Sequence, residues 1–301
     1  MSAEERVADR TERLDKLVAS LFGVSRGRAM EWIAEGRVRV DGRRTPKGFT
    51  VPQGARVSVE RPPPDQPAPQ PELPIRIVHA DQCLVIADKP AGMPSHPLKP
   101  GEKGTAANAL VGRFPELASV GPSAREGGLV HRLDTDTSGL LLAARTEAAH
   151  AMLRAQFTAR TVEKGYLALA AGELHAGGEI ALPLLHDPRD SRKMQAASDP
   201  AYAEEHGARP ALTTFTPRER RGGFTLLEVE IATGVMHQIR AHLAFIGHPL
   251  AGDPLYGGPL LPGLSRHFLH AARLGFLHPD GSRARFESPL PAELAQVLAA
   301  L

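Results

Sequence analysis

The 301-residue chain has a single cysteine, Cys83, one tryptophan, and only 5% aromatic residues. A lone cysteine can neither close an internal disulfide nor supply a cysteine metal cluster, so the framework rests on packing. Cys83 itself is expected to sit inert in a buried strand. No apolar run approaches the ~20 residues of a membrane span, and the amino terminus, MSAEERVADR, is charged without an apolar leader segment. The expectation is no membrane and a cytoplasmic location. A P-loop, a Gly-x-Gly-x-x-Gly turn and an H-E-x-x-H zinc pair are also missing. His237 and His242 stand five apart rather than four, which argues against paired ligands on one helix face.

What is present is an ordinary globular composition, 42% hydrophobic, with a formal charge of only +2. The charge is uneven. Between Ser25 and Lys47, seven cations face three acids, a local excess of 7 − 3 = +4 that suits a polyanion partner. The proline-dense RPPPDQPAPQPEL, residues 61–73, reads as a semi-rigid linker between a small amino-terminal module and a larger domain over 74–301.

In the small module, Leu14, Leu17, Val18, Leu21 and Phe22 follow the spacing of an amphipathic helix. Ser25 offers an N-cap for a second helix, with Met30 and Ile33 inward and Gly36 as its stop. RVRVDGRR then alternates apolar and basic residues into Asp41-Gly42, a hairpin turn signal, ahead of a strand carrying Val57 and Val59. This run, RLDKLVASLFGVSRGRAMEWIAEGRVRVDG, resembles the S4 RNA-binding domain over residues 12–60. The resemblance implies RNA contact through Arg13, Lys16, Ser25, Arg26 and Arg28.

Beyond the linker, IRIVHADQCLVIADKP reads as two strands, the second a continuous apolar run suited to burial on both faces. Thr146 can cap a helix bearing Met152, Leu153 and Phe157, and TVEKGYLALA returns as a strand with Tyr166 on the face opposite Leu167 and Leu169. LLEVEIATG alternates as a half-exposed strand. MHQIRAHLAFIG places Met236, Ile239, Leu243 and Ile246 at helical spacing. Strands outnumber helices and the connections are mixed, so the expectation is an α+β fold with a mostly antiparallel sheet. Residues 187–210 are polar and read as a loop near the substrate that sets specificity.

GLVHRLDTDTSGLLLAART, residues 128–146, sets a charged knot in an apolar frame. Asp134, Asp136, Ser138 and Gly139 match the first positions of a calcium loop, but its twelfth position, which needs a bidentate glutamate, is Arg145. His131, Arg132 and Asp134 nearly spell a kinase catalytic loop, yet the order is wrong and no glycine-rich phosphate loop accompanies them. A sugar hydrolase using Asp134 and Asp136 lacks any second motif. A lone acid between Leu133 and LLLAA loses hydration, and stays ionised only with a nearby cation or donated hydrogen bonds, for which Thr135, Thr137, Ser138 and a distant arginine are candidates.

HRLDTDTSGLLL resembles the signature of RluA-type pseudouridine synthases. DKPAGMPSHP, EKGYLAL, HQIRAHLAFIGHPLAGDPLYGG and FLHAARLGFLHPDG stand in that family's order, over roughly residues 75–295. The resemblance implies Asp134 as the catalytic aspartate, Tyr166 as the aromatic stacked on the target base and Arg240 as the partner of the aspartate, with His131, Arg132 and Thr137 as further substrate contacts. It implies a catalytic domain of mostly antiparallel mixed sheet. It also implies RNA as partner, ribosomal ahead of transfer RNA, with a non-catalytic RNA-binding or ribosome-assembly factor as the alternative. A monomer is expected. The reaction conserves atoms, so no cofactor or metal is expected. One departure is Val235-Met236 where the family usually carries Arg-Thr, which removes a local RNA contact. Arg132, two residues from the aspartate, can fill the stack vacated by a flipped nucleotide or hold a phosphate. Arg132→Ala is expected to lower RNA affinity or turnover several-fold in binding and single-turnover assays; both unchanged would remove that role.

Overall fold

The computed structural model describes residues 3–61 and 66–301. Its contacts divide the chain into two units, residues 1–64 and 65–301. The first runs β1 (Glu4–Val7), β2 (Glu12–Arg13), α1 (Leu14–Phe22), α2 (Arg26–Ala34), β3 (Val38–Val40), β4 (Thr50–Val51) and β5 (Arg56–Val59). Leu14, Leu17, Val18 and Phe22 of α1 are buried, as their spacing predicts. Ser25 caps α2 by accepting the Arg28 backbone N–H at 3.2 Å. The inward face of α2 is Ala29, Trp32 and Ile33, while Met30 is exposed; the expected Met30 contact is wrong because a residue one step from Ala29 turns about 100° away from the core. Asp41 and Gly42, at φ 48° and 78°, make the tight turn after β3. β5 lies between β1 and β3 and pairs antiparallel with both. The charged amino terminus gave no sign of β1, whose pairing is through the backbone.

The second unit runs β6 (Arg76–Ala80), β7 (Leu84–Lys89), α3 (Ala106–Arg113), β8 (Ser138–Ala144), α4 (Glu147–Ala159), β9 (Glu163–Ala171), β10 (Gly178–Ile180), β11 (Leu184–His186), β12 (Met194–Ala196), α5 (Pro200–Glu205), β13 (Thr213–Arg221), β14 (Phe224–Ile231), α6 (Gln238–Phe245), β15 (Leu269–Leu277), β16 (Arg283–Glu287) and α7 (Ala292–Ala300). Among the described residues nine of these strands form one sheet, in the order β10-β13-β14-β9-β15-β8-β7-β6, with β16 on β15. Every pairing in it is antiparallel except β8 with β15. The result is the expected α+β architecture.

Helices cover both faces of this sheet, so β8 is buried at every residue. Leu141 and Ala143 point with Tyr166, Ala168 and Ala170 toward α3 and α6; Leu140, Leu142 and Ala144 point toward α4. Thr146 caps α4 by accepting the Ala149 N–H. α7 packs on Leu169 and Phe268.

Four expectations change. Cys83 is half-buried in the turn before β7 rather than inside a strand, because Asp81 accepts the N–H groups of Cys83 and Leu84 and holds the chain in a turn there. α6 begins at Gln238, not Met236: His237 has a left-handed backbone, φ 53°, which no helix continues through. Residues 187–210 are not all loop, since β12 pairs with β11 and Asp199 caps α5. Within the proline-dense run 61–73, residues 62–65 lie outside the described residues. Residues 68–73 are bound to α3 and the turn before it rather than standing as an extended spacer: Ala68 O accepts the Asn108 amide, Gln70 the Gly104 N–H, and Pro71 O and Leu73 O the Arg113 guanidinium.

The β8–β15 junction is tight. Gly139 has φ 119°, and a methyl group there would lie 2.2 Å from the carbonyl oxygen of Ala271. Gly139→Ala is therefore expected to destabilise the second unit by about 3 kcal/mol or more, read as a lowered urea midpoint; unfolding at the wild-type midpoint would overturn the account.

Candidate active site

Residues 131–137 form the irregular stretch that feeds into β8, and the parallel β8–β15 pairing brings this stretch beside His267 and His270. Asp134 sits in it, its carbonyl accepting the Thr137 N–H in a turn. The turn itself is the bland role an Asp-Thr-Ser-Gly segment could have had. Its carboxylate, however, is partly buried and faces a cavity of about 420 Å³, within the range of small-molecule sites. Tyr166 and Arg240 line the same cavity.

Arg240, one turn into α6, donates from Nη1 to Asp134 Oδ2 at 3.5 Å. Its firmer hold is elsewhere. Nε and Nη2 donate to the two oxygens of Asp253 at 2.6 and 2.9 Å, a bidentate pair with both side chains almost fully buried. Burial works against the guanidinium charge, but the Asp253 bonds and the nearby Asp134 outweigh it and leave its pKa raised. Tyr256 lies under the guanidinium, 5.0 Å from the ring centroid. The arginine is thus fixed by Asp253 and Tyr256, and offers its remaining edge to Asp134.

A second cation faces the aspartate from below. Lys89 is completely buried and donates to the carbonyls of Pro90, Met93 and Thr135 at 3.0, 2.7 and 2.9 Å. Burial pushes its pKa down to about 7, opposed by the negative charges of Asp134 and Asp136. Through Thr135 O it also pins the backbone next to Asp134. The hydroxyls expected to support the aspartate do not reach it: Thr137 pairs with His267 Nε2 at 2.8 Å, Ser138 with His270 Nδ1 at 2.9 Å, and Thr135 is exposed. Short strand-proximal hydroxyls are turned across the β8–β15 junction, so arginine and lysine hold the charge instead.

Tyr166 leaves β9 on the face opposite Leu169 and is 9% exposed. Burial, then the Asp134 charge, pushes its phenol pKa well up, so it stays neutral. Lys164, two residues earlier on the same face, donates to the Thr233 carbonyl at 2.8 Å, and burial lowers it to about 8. His131 and Thr137 line the cavity, but their polar atoms are committed: His131 Nε2 accepts the Leu142 N–H at 3.0 Å, with its ring stacked on Phe157. Arg132 is exposed at the cavity wall. Ile231, Val235 and Met236 supply apolar lining, so the Val235-Met236 departure falls on the cavity itself.

In the first unit, Arg13 and Arg26 both bind the buried carboxylate of Asp15, at 3.1 and 2.7 Å, which fixes two exposed guanidinium groups on one patch. Lys16 is exposed nearby in sequence, Arg28 pairs with Glu31 at 3.4 Å, and the Ser25 hydroxyl is the α2 cap described above.

Sequence reasoning missed Asp253, Tyr256, Lys89 and Lys164 as parts of the site. Asp253 and Tyr256 did stand in the GDPLYGG run, and Lys89 in DKPAG, but nothing local to those runs tells which side chains turn inward.

A family profile described as RNA pseudouridylate synthase matches residues 83–245, and one described as S4 domain matches residues 12–57. The chain belongs to the RNA pseudouridine synthase family. It is 39% identical to a ribosomal large subunit pseudouridine synthase D of Xanthomonas campestris, over 96% of this chain and 88% of the relative. It is 40% identical to an uncharacterized RNA pseudouridine synthase of Chloroflexus aurantiacus, over 99% and 94%. Human RNA pseudouridylate synthase domain containing 4 shares the fold at a TM-score of 0.58 and 23% identity, covering 74% of this chain and 92% of its own. As a pseudouridine synthase the chain is an isomerase acting on RNA. Among the described residues no helix is long and apolar enough to cross a membrane.

Buried neutral histidines leave a pH signature on this synthase. Burial drives the His131 pKa down to about 3 and that of His267 to about 4, far below the ordinary value of about 6.5. The unfolded chain then binds more protons than the folded one below about pH 6.5, so stability is full above that pH and falls as pH drops toward 4. His131→Gln, which keeps an acceptor for the Leu142 N–H, is expected to flatten the fall of the urea midpoint between pH 6.5 and 4.5. An unchanged slope would contradict the assignment of His131 as neutral and buried.

Proposed function

We propose that this synthase converts uridine to pseudouridine in large-subunit ribosomal RNA, with Asp134 as the catalytic carboxylate, Arg240 as its partner and Tyr166 against the target base. The choice of RNA is supported by the names of the relatives that align over nearly the whole chain. The residue roles are supported above all by one contact: the Asp134 carboxylate meets a guanidinium that a second, buried carboxylate already holds in place.

The chemistry follows from the bonds exchanged. The C1′–N1 bond breaks, the uracil turns in place, C5 bonds to C1′, the C5 proton is lost and N1 takes one up. Atoms other than protons are conserved, and the work of the site is to bind, orient and supply charge. An ionised Asp134 acts on the nucleotide while Arg240 and Lys89 offset the cost of a carboxylate in a half-enclosed pocket. Tyr166, neutral and lining the cavity, gives the loosened ring a surface against which to turn. The nucleotide must first leave its stack, at a cost of a few kcal/mol that is smaller in loops. The first unit adds RNA grip by raising the effective concentration of the site, without new contacts at the base. The paired Arg13 and Arg26 and the exposed Lys16 suit phosphates.

Asp134→Asn is expected to leave large-subunit RNA from cells lacking the gene without its missing pseudouridines, while the folded protein still binds that RNA. Restoration of those pseudouridines by the variant would refute the aspartate assignment. Restoration by the wild-type protein confined to transfer RNA would refute the target.

A further inference from the structure

His237 is a non-glycine residue held at φ 53° at the entry to α6. Such a backbone is strained and persists where surrounding structure demands it. What it achieves is the aim of the ring. His237 lines the main cavity and also a second recess of about 380 Å³ on the other side of Asp134. Its Nε2 stands 3.9 Å from Asp134 Oδ2, too far for a hydrogen bond between them and wide enough to admit an oxygen that bonds to the ring from the side.

The groups on either side of the ring bear on which nitrogen carries the proton. Tyr256 Oη accepts the backbone N–H of Met194 at 2.8 Å and lies 3.0 Å from His237 Nδ1. On the other side the Asp134 carboxylate, an acceptor only, favours the tautomer with the proton on Nε2, and in that tautomer Nδ1 accepts the Tyr256 hydroxyl proton. Burial lowers the His237 pKa, with the Arg240 charge adding to this against the pull of Asp134, which keeps the ring in that neutral form. Tyr256 meets the imidazole edge-on, at 5.7 Å and 82°, and lies under Arg240 as well. One phenol thus touches two of the groups around the aspartate.

We propose that His237 is a further catalytic residue, donating a hydrogen bond from Nε2 to a carbonyl oxygen of the uracil as the glycosidic bond breaks. The inference rests on Asp134 being the catalytic carboxylate. When C1′–N1 breaks, the bonding pair stays with the uracil and its charge spreads over N1 and the ring carbonyls. A fixed donor at a carbonyl is worth more to that anion than to the bound uridine. No proton leaves His237: the pair returns to form C5–C1′, the C5 proton goes to solvent, and N1 takes a proton from solvent. A neutral donor also suits a site in which an imidazolium would bind Asp134 and block it.

The test uses full-length protein and unmodified large-subunit ribosomal RNA transcribed in vitro, with single-turnover rate, RNA affinity and melting temperature measured for each variant. His237→Gly accepts the left-handed backbone and removes the donor; it is expected to lower the single-turnover rate on the order of a hundredfold, with RNA affinity and melting temperature near wild type. His237→Gln, with an amide donor of similar reach, is expected to recover part of the rate. Tyr256→Phe releases the tautomer and is expected to fall between. A His237→Gly rate equal to wild type, a His237→Gln rate no better than His237→Gly, or a rate loss matched by lost affinity would overturn the proposal. Asp134→Asn, measured alongside, separates the two readings: if it is inactive while His237→Gly is fully active, only the histidine role falls.

Discussion

A single guanidinium shared between two carboxylates organises the site. Asp253 takes two of the donors of Arg240 in a buried, bidentate pair, and Asp134 receives the third. Removing one partner of such a buried pair typically costs about 3–5 kcal/mol, because the other charge is left stranded. Asp253 therefore does for Arg240 what a rigid scaffold does for any reactive group. It fixes the cation, so that the Asp134 carboxylate meets a preformed positive edge rather than a mobile side chain.

That arrangement needs three distant segments brought to one place, and the β8–β15 junction does it. The antiparallel sheet is interrupted there by its one parallel pairing, and the backbones come so close that only glycine fits at position 139. The stretch carrying Asp134 enters β8 at this point, and the run leading into β15 supplies Arg266, which donates to Asp136 O and to Ser138. Lys89, at the end of β7, adds the Thr135 carbonyl to the same set of anchors. The loop with Asp134 is irregular, yet the carbonyls of Leu133, Thr135 and Asp136 are each held by a buried hydroxyl or a buried cation.

Dryness around the site explains its histidines and lysines. Burial holds these imidazoles neutral, and they act as fixed connectors rather than as titrating groups: His131 to Leu142, His267 to Thr137, and His270, through both nitrogens, between Ser138 and Ser288. Buried Lys89 and Lys164 lose part of their hold on the proton; both are held by carbonyl oxygens, and at Lys89 the charges of Asp134 and Asp136 oppose the loss. Most polar groups in such a place find a partner, Arg266 Nε being an exception.

The sequence alone determined most of the local structure. Helical spacing found the buried face of α1, the Thr146 cap found α4, alternation put Tyr166 on the opposite face from Leu169, and a continuous apolar run marked β7 as covered on both sides. Each is a property of neighbours along the chain, where period and capping chemistry act directly. The motif order in the catalytic unit also marked Asp134, Tyr166 and Arg240. Tertiary structure decided what supports them. Asp253 lies 119 residues from Asp134 in sequence, Lys89 lies 45, and which of their side chains turns inward is set by sheet order, not by local pattern. The same holds for Thr137 and Ser138, whose hydroxyls looked like partners for the aspartate but face histidines across a strand pairing that no local signal encodes. His237 is the clearest case. Its spacing read as the first turn of a helix, whereas in the fold it has a left-handed backbone, with its ring between Tyr256 on one side and Asp134 on the other.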